Sequence, residues 1–286
     1  MLSGDQRERV DVVLVRPRNP LNIGAAARAM ANFGFTRLTV VAPFAPTWRE
    51  ARSAAVGADD LLQNAKSTES LAEAVAECTL VAGTGTLTFR KPEQRVVSLP
   101  ALGPMVRREL ERGGRVAVVF GPEKHGLTRE DLSHCHLLVE IPTDAAQPSM
   151  NLGQAVAVCL YELGARGMVD RLNAAAVEDR GTPPIGQDCE PQVPFDRLRA
   201  AFRLAPLAQD DKMGHPAASG ELDRLAGVVE ETMTAAGYSP ALMREANGHD
   251  LRLMLRRLGP TKQETRRILG LFRRILWRLR RVPNRD

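Results

Sequence analysis

Short, predominantly apolar runs, rich in valine, constrain the fold of this 286-residue chain most strongly. Five such runs occupy residues 10–15, 38–42, 79–82, 116–120 and 137–141. Because apolar and polar residues do not alternate within them, each run is expected to form a strand that is buried on both faces. Helical patterns occupy residues 22–33, 69–77, 101–111 and 152–163. This alternation predicts an α/β domain with a parallel sheet, spanning residues 1–167.

The sequence changes character after this domain. Six prolines between positions 183 and 216 interrupt any long helix, so residues 168–220 are predicted to form a linker with one short helical piece at 195–202. Residues 221–286 are predicted to form a small helical domain, with helices at 222–236, 240–258 and 262–281. One apolar stripe of the last helix is expected to pack against the other two. Its members are Ile268, Leu271, Phe272, Ile275, Leu276 and Leu279.

The C-terminal helices carry most of the positive charge. After residue 250 there are twelve Lys or Arg residues and two acidic ones, a net charge of +10 in a chain whose total is +5. The first 250 residues therefore carry −5. A basic C-terminus on an acidic body suggests contact with a polyanion. The arginines of the last helix lie mostly off the apolar stripe and are expected to make that contact.

The composition argues against membrane, secreted and metal-binding proteins. No run of eighteen apolar residues occurs, so no segment is expected to span a membrane, and residues 1–9 are polar and charged, unlike a signal peptide. The four cysteines are widely spaced and form no CxxC pair, which favours a cytoplasmic protein with reduced thiols. His134-Cys135-His136 suggests a metal site, but no second ligand pair has zinc spacing, so no metal is predicted.

The first polar loop lies between the first strand and the first helix. Two prolines and an asparagine mark residues 16–20 as a turn, and Asn22 is the predicted N-cap of a helix that stops near Gly34. The unpaired N–H groups and positive dipole end of a helix start suit a phosphate. Arg28 would add a charged, planar donor. The alternative is an ordinary strand–helix connection with one solvated arginine.

Two later loops also follow strands. The loop that begins Gly121-Pro122-Glu123 supplies one carboxylate, and Gly121 is expected to let the backbone approach a ligand closely, unless Glu123 is simply exposed. The loop at 142–151 leads into the next helix. Ser149 or Asn151 is either its N-cap or a polar group at the carboxyl end of a strand, where open α/β sheets bind ligands.

A fourth loop, Gly83-Thr84-Gly85-Thr86, nearly matches a dinucleotide-binding fingerprint. The residues that follow, 89–92, include a proline and do not open a helix. A small loop that touches a ligand is therefore favoured over a pyrophosphate-binding turn.

Three segments together carry a family resemblance. They are Asn22-Ile23-Gly24-Ala25-Ala26-Ala27-Arg28-Ala29-Met30, then Phe120-Gly121-Pro122-Glu123 with Gly126-Leu127, then Pro148-Ser149-Met150-Asn151-Leu152. In this order they resemble the motifs of the TrmH (SpoU) branch of the SPOUT methyltransferases. The resemblance implies a trefoil-knotted α/β domain that binds S-adenosylmethionine and acts as a homodimer. The linker and basic helical C-terminus are similar, in layout, to a tRNA-modifying member of that branch.

The resemblance also implies roles for individual residues. Arg28 would be catalytic, with Asn22, Glu123, Ser149 and Asn151 as site neighbours. The cofactor would lie against Thr84, Gly85, Thr86, Gly121, Ile141, Pro148, Ser149, Met150, Asn151 and Leu152. Adenine would be sandwiched by the apolar members of that set, Ile141, Met150 and Leu152. RNA contacts would come from Arg16, Arg28, Arg273, Arg274 and Arg278.

The expected reaction is methyl transfer to a ribose 2′-oxygen, with cytidine or uridine at position 32 of the tRNA anticodon loop as the leading substrate. A ribosomal RNA substrate and a non-catalytic RNA-binding protein of the same fold are the alternatives. A guanidinium is a poor proton acceptor at neutral pH, so Arg28 is expected to hold a phosphate and stabilise developing negative charge. The proton would pass to that phosphate, to water, or to a transiently neutral Arg28.

Overall fold

Seven parallel strands form one sheet in the computed structural model, which describes residues 2–43, 48–85, 92–166, 214–238 and 244–281. The strands are β1 (Val10–Val15), β2 (Arg37–Val41), β3 (Lys66–Thr68), β4 (Leu80–Thr84), β5 (Arg95–Ser98), β6 (Val116–Phe120) and β7 (Leu137–Glu140). Their order across the sheet is β3-β2-β1-β6-β4-β7-β5, and every neighbouring pair is parallel. The predicted parallel α/β sheet is therefore confirmed, and the carboxyl ends of all these strands lie at one edge.

Strand β1 shows why the apolar runs do not alternate. Val10, Val12 and Leu14 lie in the hydrophobic cluster on one face of the sheet, whereas Val13 and Val15 lie in the cluster on the other face. Because both faces are covered, successive side chains on either side of the strand are buried in apolar surroundings.

One buried charge interrupts β1. Asp11 is only 5% exposed, and its two carboxylate oxygens lie 2.7 Å from Arg37 and 3.1 Å from Arg115. Arg37 lies in β2 and Arg115 directly precedes β6, so the carboxylate of Asp11 joins three adjacent strands.

Eight helices of the described chain accompany the sheet: α1 (Gly4–Arg7), α2 (Pro20–Phe33), α3 (Trp48–Ala54), α4 (Asp59–Gln63), α5 (Leu71–Ala74), α6 (Leu99–Glu111), α7 (Arg129–Ser133) and α8 (Leu152–Gly164). The C-terminal region forms α9 (Ser219–Ala235), α10 (Arg244–Leu258) and α11 (Lys262–Arg281). The predicted helix at 69–77 is shorter than expected, and residues 240–243 of the predicted helix at 240–258 lie outside the described residues.

Strands β3 and β5 are not predicted by the sequence. Both are edge strands, and most of their side chains are exposed or only partly buried. An edge strand of this kind does not need the apolar run that identifies a central one. The short helices α1, α3, α4 and α7 also lack a long apolar period and are not predicted.

The start of α2 differs from the prediction. Its N-cap is Asn19, not Asn22; the Asn19 side chain accepts a hydrogen bond from the Leu21 backbone N–H at 3.0 Å. Pro20 occupies the first helical position, where a missing N–H costs nothing. The predicted stop is confirmed, because Gly34 adopts the left-handed conformation, with φ 70°, at the C-cap.

Small residues let α2 pack closely against its neighbours. A Cβ atom added at Gly24 would lie 2.1 Å from the carbonyl oxygen of Ala51 in α3. A Cβ atom added at Gly153 of α8 would lie 2.7 Å from the Cβ of Ala25. The position of α2 between α3 and α8 therefore depends on these glycines and alanines.

The C-terminal helices pack on one another around Leu225, Ala226 and Leu255. The predicted stripe of α11 is partly wrong, because Leu271 is 56% and Ile275 38% exposed. The predicted stripe is too wide. The face that packs is centred on Phe272 and Leu276, and Leu271 and Ile275 lie outside it because successive residues of a helix are about 100° apart.

Charged side chains dock the C-terminal helices on α7. Arg252 makes two hydrogen bonds to Glu130, both 2.8 Å long. Arg256 is buried and lies 2.7 Å from one oxygen of Asp223, and His134 Nδ1 lies 3.4 Å from the other. Burial acts to raise the pKa of Asp223, but His134 and Arg256 hold it below its ordinary value. At least two C-terminal cations thus serve packing within the chain.

Several predictions are not tested by these coordinates. The helical piece at 195–202 and most of the linker lie outside the described residues, so the proposed domain boundaries stay predictions, as does the trefoil knot. Within the described ranges, no helix has both the length and the apolar character needed to cross a membrane.

Gly24 and Gly103 offer a matched test of the packing of α2. Gly24→Ala should lower the free energy of unfolding by about 1–3 kcal/mol, because the new methyl group must displace the backbone of α3. Gly103→Ala, in α6, should raise it by roughly 0.5–1 kcal/mol, because a Cβ there meets no atom within 4 Å and alanine favours a helix. Urea unfolding measures both changes. Wild-type stability of Gly24→Ala would show that α2 and α3 are not closely packed.

Candidate active site

Four neighbouring strands, β1, β6, β4 and β7, end at one edge of the sheet. The polar loops singled out in the sequence follow these strands, so the structure brings them to a common edge. The chain passes from β1 to β2 on one side, whereas β6 pairs with β1 on the other. Open α/β sheets bind ligands in the crevice at such a reversal of strand order.

The carboxylate of Glu123 joins the loop after β6 to the loop after β1. Its Oε1 accepts hydrogen bonds from Asn22 Nδ2 at 2.8 Å and from the Asn19 backbone N–H at 3.2 Å. Its Oε2 accepts one from the Arg18 backbone N–H at 3.1 Å. Glu123 is therefore an ordered acceptor at the start of α2, not simply an exposed acid.

These hydrogen bonds favour the ionised form of Glu123. Partial burial acts to raise its pKa, but the hydrogen bonds from Asn22, from the backbone N–H of Glu123 itself, and from those of Arg18 and Asn19 hold the pKa below its ordinary value. The site therefore carries a fixed negative charge at neutral pH.

Asn22 continues the series toward the loop after β7. Its Oδ1 accepts a hydrogen bond from Asn151 Nδ2 at 2.9 Å. Asn151 in turn caps α8, because its Oδ1 accepts from the backbone N–H groups of Gly153 and Gln154 at 2.9 and 3.3 Å. Of the two predicted caps, Asn151 is confirmed, while Ser149 is exposed in the preceding loop.

Arg28 lies on a different side of α2 from this hydrogen-bonded series. Its side chain is exposed and makes no hydrogen bond or ion pair with any residue that the structure describes. By helical geometry it lies about 9 Å along the axis and about 120° around it from Asn22, on the same stripe as exposed Leu21. Its guanidinium is accordingly available to an anion outside the chain.

Two residues at the end of β4, Thr84 and Gly85, have different surroundings. Thr84 is buried and its hydroxyl donates to the Val119 carbonyl at 3.0 Å, so its side chain joins β4 to β6. A Cβ added at Gly85 would meet only Leu138 Cδ1, at 3.7 Å. Thr86 lies outside the described residues.

Gly121 has a structural role that differs from the expected one. A Cβ atom there would lie 2.3 Å from the backbone nitrogen of Leu127 and 2.4 Å from the carbonyl carbon of Gly126. The close approach that this glycine permits is to its own loop. A cofactor contact of Gly121 stays a prediction.

The loop after β7 presents two of the three predicted apolar contacts. Ile141 and Met150 are partly buried, whereas Leu152 is only 5% exposed and belongs to the core. The Thr143 hydroxyl donates to the Pro148 carbonyl at 3.2 Å and so helps to shape this loop. Ile141 and Met150 are therefore the more accessible of the three, and an adenine contact of each stays a prediction, as does that of Leu152.

Arg16, a predicted RNA contact, is paired within the chain. It has a positive φ of 46° at the end of β1, and its guanidinium pairs with the buried carboxylate of Asp131. Asp131 also accepts from the N–H and hydroxyl of Thr128, both at 2.7 Å, in the capping box of α7. The Thr128-x-x-Asp131 spacing is the sequence signal for the capping box, but no local sequence pattern indicates the pairing of Asp131 with Arg16.

His134, Cys135 and His136 do not converge on one site. His134 faces Asp223, whereas His136 Nδ1 accepts a hydrogen bond from the Val81 N–H at 3.0 Å. Burial lowers the pKa of His136 to about 3 and raises that of Cys135 to about 12. Both side chains are thus neutral parts of the interior.

A different trio brings metal-binding atoms together. Glu93, His249 and Asp250 place one ligand atom each within 4.8 Å of one another. Arg129, however, lies 2.9 Å from Glu93 and 4.0 Å from Asp250. Its charge already compensates the two carboxylates, and the trio supports an ion-pair contact better than a metal site.

The predicted RNA-contacting arginines of α11 are exposed, as expected from their position off the packed face. Arg273 lies with Arg224 and Arg266 around a cavity of about 280 Å³ between the C-terminal helices. Glu221 also lines this cavity, so one carboxylate accompanies the three guanidinium groups. The remaining positive charge suits a phosphate.

The chain belongs to a methylase family. A model of the SpoU rRNA Methylase family matches residues 9–161, which include the whole sheet and the loops at its carboxyl edge. Over nearly its full length the chain is similar to TrmJ of Escherichia coli (strain K12), a tRNA (cytidine/uridine-2'-O-)-methyltransferase. The two are 30% identical over 273 residues, 94% of each protein.

Two other proteins extend this similarity. TrmJ of Pseudomonas aeruginosa (strain UCBPP-PA14), a tRNA (cytidine/uridine/adenosine-2'-O-)-methyltransferase, is 40% identical over 161 residues, which are 54% of this chain and 60% of that protein. The crystal structure of TrmJ from Z. mobilis ZM4 matches with a TM-score of 0.70 and 29% identity, covering 93% of this chain and 98% of that one. The second match includes the helical C-terminal region.

Glu123→Gln should test the ordered carboxylate. A group whose pKa is lowered on folding stabilises the fold above its unfolded pKa, and this contribution is lost as pH falls through the folded value. The variant should therefore be less stable than wild type at pH 7, and the difference should shrink as pH falls below 4.5, the ordinary value for Glu123. Urea unfolding at several pH values from about 2.5 to 7 measures it, because the contribution is lost only as pH falls through the lowered pKa.

Glu69→Gln, at an exposed position, is the control and should change stability little at any of these pH values. A difference between Glu123→Gln and wild type that is absent at pH 7, or constant with pH, would contradict the role assigned to Glu123.

Proposed function

We propose that this protein is an S-adenosylmethionine-dependent methyltransferase that modifies a ribose 2′-oxygen of tRNA. The observation that carries the proposal is the hydrogen-bonded series Glu123–Asn22–Asn151. This series joins the three family motifs at the carboxyl edge of the sheet. Arg28, which pairs with no residue that the structure describes, lies on α2 together with Asn22. The tRNA methyltransferases that are similar over the full chain support the substrate.

The edge has the chemistry needed to hold S-adenosylmethionine. The partly buried apolar side chains of Ile141 and Met150 suit a flat base, and Gly85 and the exposed loop around Ser149 suit a polar ribose. These residues, with the backbone of Gly121 and of 148–152, would hold it. When bound, it supplies a methyl group activated by a sulfonium.

Arg28 acts on the RNA in this proposal. It binds the phosphate beside the target ribose and stabilises the negative charge that develops on the 2′-oxygen. As the oxygen gains the methyl group, its hydroxyl proton leaves to that phosphate, to water, or to a transiently neutral Arg28. Glu123 holds Asn22 in place and offsets the positive charge gathered at the site.

The C-terminal helices bind the tRNA body in this proposal, through the exposed arginines Arg273, Arg274 and Arg278. Arg252 and Arg256 are excluded from this role because they pair with acids within the chain. Within tRNA, cytidine or uridine at position 32 is the proposed target. The name of the matching family model favours ribosomal RNA as a second candidate substrate.

Arg28→Ala should reduce methyl transfer to tRNA by at least about 100-fold, because it removes a charged donor from the transition state. Affinity for S-adenosylmethionine should be nearly unchanged. Arg28→Lys should also be poor, because an ammonium cannot bind two phosphate oxygens as a planar fork does. Transfer of labelled methyl groups to tRNA and ribosomal RNA transcripts measures activity, and calorimetry measures cofactor binding.

The labelled nucleotide should lie at position 32 and carry its methyl group on the ribose. Near-normal turnover by Arg28→Lys would contradict a bidentate role. If the wild-type chain binds tRNA but transfers no methyl group, the non-catalytic alternative is favoured. If only ribosomal RNA becomes labelled, ribosomal RNA replaces tRNA as the proposed substrate.

We also propose a homodimer formed through α2 and α8. These helices run parallel in contact, and exposed apolar residues lie on both: Leu21 is 48%, Val158 37% and Tyr161 43% exposed. Arg28 lies on the Leu21 stripe and therefore faces this surface. In such a dimer Arg28 would act in the site of the partner subunit.

Val158→Glu combined with Tyr161→Glu should convert the dimer to a monomer and remove activity, because two charges would be buried in the interface. Val56→Glu is the matched control, since Val56 is an exposed apolar residue elsewhere on the domain. Light scattering measures the mass.

A mixture of the Arg28→Ala and Asn151→Ala variants should regain part of the activity. A fully active monomer, or no recovery in verified mixed dimers, would contradict sites shared between subunits.

A further inference from the structure

We propose that Trp277 stacks on an unpaired nucleobase of the RNA substrate. Trp277 lies on α11 and is 53% exposed, an unusual position for the side chain with the largest aromatic surface. The inference rests on the proposed function, since it takes the tRNA as ligand, and it adds a base contact to a surface so far described only by its charge.

Arginines surround Trp277 on the helix surface. Residues three and four positions away are neighbours on a helix, and those of Trp277 are Arg273, Arg274, Arg280 and Arg281. The guanidinium carbon of Arg281 lies 4.0 Å from the centroid of the indole ring, which is a cation–π contact. Arg280 pairs with Glu231, whereas Arg273 lines the cavity between the C-terminal helices.

This arrangement matches the way proteins hold single-stranded RNA. Unpaired bases stack on aromatic rings, and neighbouring arginines bind the backbone. The Arg281 guanidinium already covers one face of the indole, so a base would stack on the other face. Arg273 lies four residues away, about 6 Å along the helix axis, and would bind a flanking phosphate.

A lipid surface suits this face less well. Helices that lie on membranes present a broad, free apolar face. The main apolar face of α11 is packed within the protein around Leu276, which is 7% exposed. The exposed Leu271 and Ile275 lie on other sides of the helix, about 120° and 160° from Trp277, and Trp277 stands among arginines. An unpaired base needs one ring and a few charges, which is what this face offers.

Trp277→Ala should weaken tRNA binding by about fivefold or more, because stacking of one base contributes about 1–3 kcal/mol. KM for tRNA should rise, whereas kcat at saturating tRNA and the affinity for S-adenosylmethionine should not change. Trp277→Phe keeps a stacking ring and should retain most of the affinity. Leu271→Ala is the matched control: it removes a similarly exposed apolar side chain about 120° around the same helix.

Fluorescence provides an independent test. The chain has two tryptophans, so Trp277 is the sole reporter in a Trp48→Phe background. Its emission should be quenched by tRNA and by single-stranded oligouridylate, but not by a perfectly paired RNA duplex at equal phosphate concentration. Vesicles containing phosphatidylserine should leave the emission unchanged.

Equal tRNA affinity of Trp277→Ala and wild type would overturn the proposal, as would equal quenching by the duplex. A response to vesicles without one to RNA would replace the base by a lipid surface. In each case, methylation of tRNA by the wild-type chain is measured first. If it occurs and Trp277→Ala behaves as wild type, the base contact alone fails; if it does not occur, the proposed function fails.

Discussion

One carboxylate orders the candidate active site. Glu123 accepts hydrogen bonds from two backbone N–H groups of the turn before α2 and from the side chain of Asn22. The turn contains two prolines and follows a residue with positive φ, so its shape is already restricted. The carboxylate then fixes that turn relative to β6. Asn22 is oriented from both ends as a result, because Asn151 donates to its oxygen while its nitrogen donates to Glu123.

The C-terminal cations divide into two groups with different physical roles. Arg252 and Arg256 pair with Glu130 and Asp223 where the helices dock on α7. Those pairs are partly or largely removed from water, and salt screens them less than exposed charges. Arg273, Arg274 and Arg278 are exposed, and release of counterions from bound phosphates would make their contribution strongly dependent on salt. Net charge alone does not distinguish the two groups.

The central part of the fold was readable from sequence because burial on both faces demands strands that are apolar almost throughout, with Asp11 as the charged exception in β1. The edge strands β3 and β5 are partly exposed, so they do not require apolar residues throughout, and no comparable apolar run marks them in the sequence. The site was only partly readable. The sequence identified Asn22, Glu123 and Asn151, but it placed the N-cap of α2 at Asn22 instead of Asn19. Either asparagine could cap a helix, and Pro20 favours Asn19 because proline suits the first helical position.

Local sequence patterns could not predict ion pairs or helix contacts between residues that are distant in the sequence. Arg16 was expected to contact RNA, yet it pairs with Asp131, a residue distant in sequence that looks like an ordinary helix cap. Likewise, the width of the apolar stripe on α11 depends on the helices it meets, so Leu271 and Ile275 were assigned to the wrong side.

The alanine-rich segment at the start of α2 combines two kinds of residue. Gly24 and Ala25 are small where α2 meets Ala51 and Gly153, whereas Asn22 is hydrogen-bonded to Glu123 and Asn151, and Arg28 is exposed. Most letters of this motif therefore describe how helices fit together. Replacing Arg28 alone would leave this packing, and nearly the whole motif, in place. If Arg28 acts on the RNA as proposed, such a chain would keep the fold and the family match without the activity, so the match does not by itself establish activity.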